Sequence, residues 1–111
     1  MVSDKEILIQ ALESFASNTV SSLFGMDTLA TRTLIRYAVR SMADKYDFLF
    51  DIFTDKNGNI NTKLLLDAAR SEIKARDGLK IGNIKFTEKD VDEINNIIKK
   101  LSENNENSRS N

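Results

Sequence analysis

Apolar side chains recur along this chain at helical intervals, interrupted by clusters of Gly, Asn and Asp. Ser3-Asp4-Lys5-Glu6 opens the first periodic stretch with a capping-box pattern, in which Ser and Glu can each satisfy free amides. Leu8, Leu12, Phe15 or Ala16, Val20 and Leu23 follow at helical spacing, and Gly25 is a natural stop. The pattern predicts a helix over about residues 4–24, weaker from Ser17 to Ser22, where Ser, Asn, Thr and Val form helix poorly. A second stretch opens at Asp27-Thr28 and places Ile35, Val39, Met42, Tyr46, Leu49 and Phe53 at steps of three and four. It predicts either one long helix or two helices broken near Asp44 to Asp47, and no Pro or Gly decides between them.

Thr54 to Asn59 is the clearest turn, rich in side chains that tolerate left-handed backbone. Ile60 follows as a short extended residue, and Asn61-Thr62 caps a third helix that runs to about Asp77 and closes at Gly78. Leu79-Lys80-Ile81 and Ile84-Lys85-Phe86 flank Gly82-Asn83, the signature of a two-residue hairpin with Leu79, Ile81, Ile84 and Phe86 on one face. Ile60 and Ile84 are candidates to pair with each other. Thr87 caps the last helix with Asp90 reaching back, and Val91, Ile94, Ile98 and Leu101 form its buried stripe. Residues 103–111 carry no apolar side chain and are expected to be a disordered polar tail. The fold class is therefore mainly α: a single-domain bundle of four to five helices over 1–102. A minor β-hairpin or short β bridge is expected near 59–61 and 79–86.

Composition narrows the chemistry more than the fold. The 111 residues include no His, Cys, Trp or Pro. Zero Cys excludes disulfides, thiolate metal sites and cysteine nucleophiles, and zero His excludes imidazole ligands and the Ser-His-Asp triad. The first residues are acidic and lead into an amphipathic stretch, unlike a secretory signal, and no apolar run approaches a membrane span. The expected location is the cytoplasm. Sixteen basic against seventeen acidic residues give a net charge of −1, which disfavours bulk attraction to nucleic acid or anionic lipid.

Three groupings are candidate sites. Arg32, Arg36 and Arg40 lie at i, i+4 and i+8, a basic ridge that can track phosphates or a partner's carboxylates. Read structurally, it is a solvated face opposite Ile35, Val39 and Met42, neutralised by acids on neighbouring helices. Arg70 and Lys74, continuing to Arg76, Lys80 and Lys85, form a second basic cluster from helix into hairpin. A winged-helix reading of that cluster meets a long turn before the helix and interruption by Glu72 and Asp77. Tyr46, Phe48, Phe50 and Phe53, with Leu49 and Ile52, nearly encircle their segment with large apolar groups. Either this segment sits centrally among the helices or part of it faces another chain, which makes Phe48, Phe50 and Phe53 the candidate partner contact.

Metal and catalytic patterns fall short. Setting Gly58 or Gly82 at the sixth position of a calcium loop leaves ligand positions occupied by Phe53, Leu64, Leu79 or Ile81. The carboxylate pairs Asp51 with Asp55 and Asp90 with Glu93 have helical spacing, but acids at a helix start serve the dipole. No cofactor, metal, membrane or enzymatic activity is expected.

The run Asp55-Lys56-Asn57-Gly58-Asn59-Ile60-Asn61, a helix, and then Ile84-Lys85-Phe86-Thr87-Glu88-Lys89-Asp90-Val91-Asp92-Glu93-Ile94 resembles short uncharacterised proteins encoded by bacteriophages and prophages. The resemblance spans residues 55–101. It implies a phage accessory or virion-associated protein acting through protein contacts, in the host cytoplasm or the virion, and assigns no residue a role. The leading expectation is a non-enzymatic protein-interaction or assembly module that binds a protein partner or itself. The alternative is a small nucleic-acid-binding or regulatory protein using its basic helix faces.

Overall fold

The computed structural model describes residues 3–25, 27–81 and 84–110. Helix α1, Asp4–Phe24, starts where the Ser3 hydroxyl accepts the Glu6 amide at 3.1 Å and ends at Gly25 in the left-handed region, φ 65°. Glycine occupies that position at no steric penalty. Glu6 leaves the other half of the capping box unmade and reaches to the next helix instead. Helix α2, Leu29–Lys45, is capped by Thr28, whose hydroxyl accepts the Thr31 amide at 3.1 Å.

The second apolar stretch is two helices. Tyr46 interrupts the dihedrals, and a short helix α3, Asp47–Ile52, follows. Lys5 of α1 meets the start of α3: its ammonium pairs with Asp47 and lies 5.6 Å from the Phe50 ring centre. With α3 in this place, Phe50 packs against the core cluster. The loop after α3 is held by Asp55, whose carboxylate accepts the amides of Asn57 and Asn59 at 2.8 and 3.0 Å. It closes with an antiparallel bridge between Thr54 and Ile60. Ile60 therefore pairs within its own loop and not with Ile84.

Helix α4, Thr62–Ala75, is capped by the Asn61 side chain on the Leu64 amide at 3.0 Å. Strands β1, Leu79–Ile81, and β2, Ile84–Phe86, pair antiparallel in the register Leu79 with Phe86, Lys80 with Lys85 and Ile81 with Ile84. That is the expected hairpin; its turn residues Gly82 and Asn83 lie outside the described residues. Helix α5, Glu88–Ser110, begins with the predicted reach-back, the Thr87 amide donating to Asp90 at 2.8 Å. It continues past residue 102, so 103–110 is helical where the sequence reading expects a disordered tail. No Gly or Pro interrupts the run, and backbone hydrogen bonds propagate more readily than they nucleate.

The architecture is a mainly α bundle organised around α1, which contacts both α2 and α5, while α4 packs on α5. Ile7, Leu8, Ile9, Ala11 and Phe15 are all buried, so the first half of α1 is enclosed on most sides. The main cluster joins Ile7, Leu8 and Ala11 to Ile98 of α5, with Phe50, Leu65, Leu66, Ile94 and Leu101 against it. Phe15 meets Phe86 with ring centres 6.1 Å apart and ties the hairpin to α1. Among the described residues no helix is long and apolar enough to cross a membrane.

Candidate functional site

Two of the three residues of the predicted basic ridge, Arg36 and Arg40, pair with acids of α1. With 3.6 residues per turn, Arg36 and Arg40 flank the stripe of half-buried Ile35 and Val39 and buried Ala43. They do not stand on a solvated face opposite it. Arg40 spans two acids of α1: its guanidinium donates to Glu6 at 2.6 and 3.3 Å and places Nε 2.6 Å from Glu13 Oε1. Arg36 adds a second cation 3.4 Å from Glu13. Glu13 is 9% exposed, and its Oε1 lies in ionic contact with Arg40 without a well-directed hydrogen bond. The Arg40 hydrogen bond holds the Glu6 carboxyl below the usual carboxylate range, and the same bond raises the Arg40 guanidinium. Sequence reasoning anticipated acidic neighbours for the ridge but not which ones. Glu6 and Glu13 are seven residues apart, two turns along one face of α1, and that spacing was the available signal.

Arg32 pairs locally with Asp27 at 2.6 Å, which lowers the Asp27 carboxyl and raises the guanidinium. Arg70 of α4 pairs with Asp92 of α5, and Arg76 with Glu72 at 3.1 Å. The second cluster is therefore partly neutralised as well. Its exposed remainder, Lys74, Lys80 and Lys85, stands around the α4–β1 junction. There Arg76, Asp77, Gly78, Lys80 and Lys85 line an open hollow of about 460 Å³. Lys80 and Lys85 face each other across the hairpin, a like-charge pairing that contributes no stability.

The aromatic segment does not occupy the centre of the bundle; α1 does. Phe50 is half-buried against the core cluster, and Phe53 is half-buried at the end of α3. Phe48 points outward, 61% exposed, and Ile52 is exposed beside it in sequence. Tyr46 lies against Phe48, with ring centres 6.2 Å apart. The partner contact predicted from sequence thus divides, with Phe48 presented to solvent and Phe50 and Phe53 largely used internally. Exposed apolar side chains also run back along α2 through Met42, which the sequence pattern placed on the apolar stripe with Ile35 and Val39, and through Tyr37, Leu34 and Leu29, which it did not single out.

One member of each carboxylate pair has a structural occupation. Asp55 holds its loop and Asp90 caps α5. Among the described residues no group of acids is arranged to hold a metal ion. Comparison with protein-family models, with curated proteins and with solved structures finds no match for this chain.

Proposed function

We propose that this chain is a non-enzymatic protein-interaction or assembly module. The observation that carries this reading is the succession of large exposed apolar side chains along α2 and α3: Leu34, Tyr37, Met42, Tyr46, Phe48 and Ile52. Scattered exposed apolar residues are ordinary, and Leu23, Phe24 and Leu64 are exposed on α1 and α4, but most of the large exposed ones fall on two consecutive helices, the kind of surface that a partner covers. Self-association and docking on another protein both belong to this reading. A role as a phage accessory or virion-associated protein, acting in the host cytoplasm or the virion, is its biological form.

The alternative, a small nucleic-acid-binding or regulatory protein, rests on Lys74, Lys80 and Lys85. Arg32, Arg36, Arg40 and Arg70 are each engaged by an acid and are poorly placed to neutralise phosphates. The test is Phe48→p-benzoylphenylalanine, irradiated in cells that make the protein, with the same replacement at exposed Lys63 as control. A discrete protein adduct at position 48 that excess wild-type chain suppresses is the expected result. Equal, diffuse labelling at both positions refutes the reading. Salt-sensitive retention on heparin that Lys80→Glu abolishes would favour the alternative.

A further inference from the structure

We propose that α2 is a strap that opens from α1 as one cooperative unit while α1, α4 and α5 stay folded, with the hold of Arg36 and Arg40 on Glu6 and Glu13 as its fastening. The opening requires no partner.

Apolar burial holds the rest of the bundle together but hardly holds α2. Among the described residues of α2 only Ala43 is buried; Thr31, Ile35, Val39 and Arg40 are half-buried and the others exposed. By contrast α1 buries Ile7, Leu8, Ile9, Ala11 and Phe15, and α5 buries Val91 and Ile98. Helix α2 packs along α1, and among the described residues it makes no comparable contact with α4, α5 or the hairpin. Local opening is easiest where few apolar side chains are buried and the backbone hydrogen bonds lie close to water. Once released, α2 does not sustain itself. It has seventeen residues, of which Thr31, Thr33, Ile35, Tyr37, Val39 and Ser41 are middling helix formers. Separation from α1 and loss of helix therefore come together.

Charge supplies what apolar burial does not. Arg40 holds Glu6 and Glu13, and Arg36 reaches Glu13, so separating the two helices breaks all of these pairs at once. The chain on either side is fastened without them. Gly25, at φ 65°, precedes α2, and Tyr46, at φ −106° and ψ 26°, follows it, both outside helical geometry. Beyond them α1 is built into the core, and α3 is held by the Lys5–Asp47 pair and by Phe50 on the core cluster. Opening uncovers the side of α1 that carries Glu6 and Glu13. Buried Ile9 stands there one turn before Glu13, and half-buried Val20 two turns after it.

Native-state hydrogen exchange of the full chain, read amide by amide by NMR, separates this opening from global unfolding. Amides of residues 33–45 should exchange as a group, with protection at least about tenfold below that of the slowest amides of α1 and α5. Their exchange should also respond less steeply to added urea, because less surface is exposed. Arg40→Met should accelerate the α2 amides about thirtyfold, since it strands Glu13. Ile98→Val trims the α1–α5 core, which stays intact when α2 opens. It should accelerate the slowest amides of α1 and α5 about fivefold and leave those of α2 within about a factor of two. Equal protection in α2 and in the slowest amides overturns the proposal. So does an Ile98→Val chain in which α2 and the core accelerate alike, because α2 then opens only with the whole domain. Fast α2 exchange that does not respond to Arg40→Met is fraying, and overturns the role of the fastening.

Discussion

Arg40→Met tests how α2 is attached. Methionine keeps most of the apolar stem and deletes the guanidinium that bridges Glu6 and Glu13. Glu13 would then be a nearly buried carboxylate, its side chain 12% exposed, with only Arg36 at 3.4 Å as counter-charge. Removing one partner of a fully buried pair typically costs about 3–5 kcal/mol, and of an exposed pair about 0–1 kcal/mol. This site lies between, because the Arg40 side chain is 41% exposed and water screens it. The expected loss is about 2 kcal/mol, a fall in midpoint temperature of about 6–10 °C for a domain of this size. Adding Glu13→Leu should recover most of it, because the stranded charge is then gone and Leu suits the buried position. Urea denaturation followed by circular dichroism at a few micromolar protein gives all four corners of the cycle. If the two substitutions are additive, or if Arg40→Met costs less than about 0.5 kcal/mol, Arg40 is an ordinary surface residue and the clamp argument fails.

Three further outcomes follow from the same structure. The Glu6 carboxyl is depressed in the folded state by its Arg40 hydrogen bond, so its contribution is complete above the unfolded carboxylate pKa of about 4.3 and is lost as pH falls through the lower folded value. Acid denaturation curves should therefore be shallower below that pH for Arg40→Met than for wild type; identical acid limbs would contradict this. Gly25→Ala should destabilise by about 1–2 kcal/mol through left-handed strain alone, since nothing lies within 4 Å of the added carbon; an unchanged urea midpoint would show that α1 ends differently. Leu8→Ala, at 2% exposure in the main cluster, should cost about 2–5 kcal/mol, while Phe48→Ser should change stability by less than about 0.5 kcal/mol. Comparable losses at the two positions in urea melts would mean that Phe48 is not outward-facing.

The parts of the fold legible in the sequence are those that local chemistry decides. Ser3, Thr28, Asn61 and the Thr87–Asp90 pair each start a helix where their side chains predict, and Gly25 ends α1. The hairpin register follows from its alternation about a two-residue turn. What escaped is decided across the chain. Whether the second stretch breaks, which the sequence left open near Asp44 to Asp47, had no Pro or Gly to decide it, and the contact that meets the start of α3 comes from Lys5, some forty residues earlier. The central helix also escaped. Aromatic crowding pointed to residues 46–53, whereas the consecutive Ile7-Leu8-Ile9 with Ala11 marks the element that two neighbours enclose. The candidate residues divided on the same principle. Spacing placed Arg32, Arg36 and Arg40 on one ridge, but only the packing of α2 on α1 decides which way that ridge faces.

That packing ties the charge pattern to the proposed partner surface. Arg36 and Arg40 are held toward α1 by Glu13, and Leu34, Tyr37 and Ala38 are turned to solvent. Recruiting Arg40 to a phosphate would strand Glu13 and loosen α2, so nucleic-acid binding through the ridge would work against the fold itself. Lys74, Lys80 and Lys85 have no such conflict, and three phosphate contacts would give a shallow salt dependence, a log–log slope of about −3. A slope near −6 would require the arginine ridge as well. It would mean that α2 leaves α1 on binding, and the outward apolar face would then need another explanation.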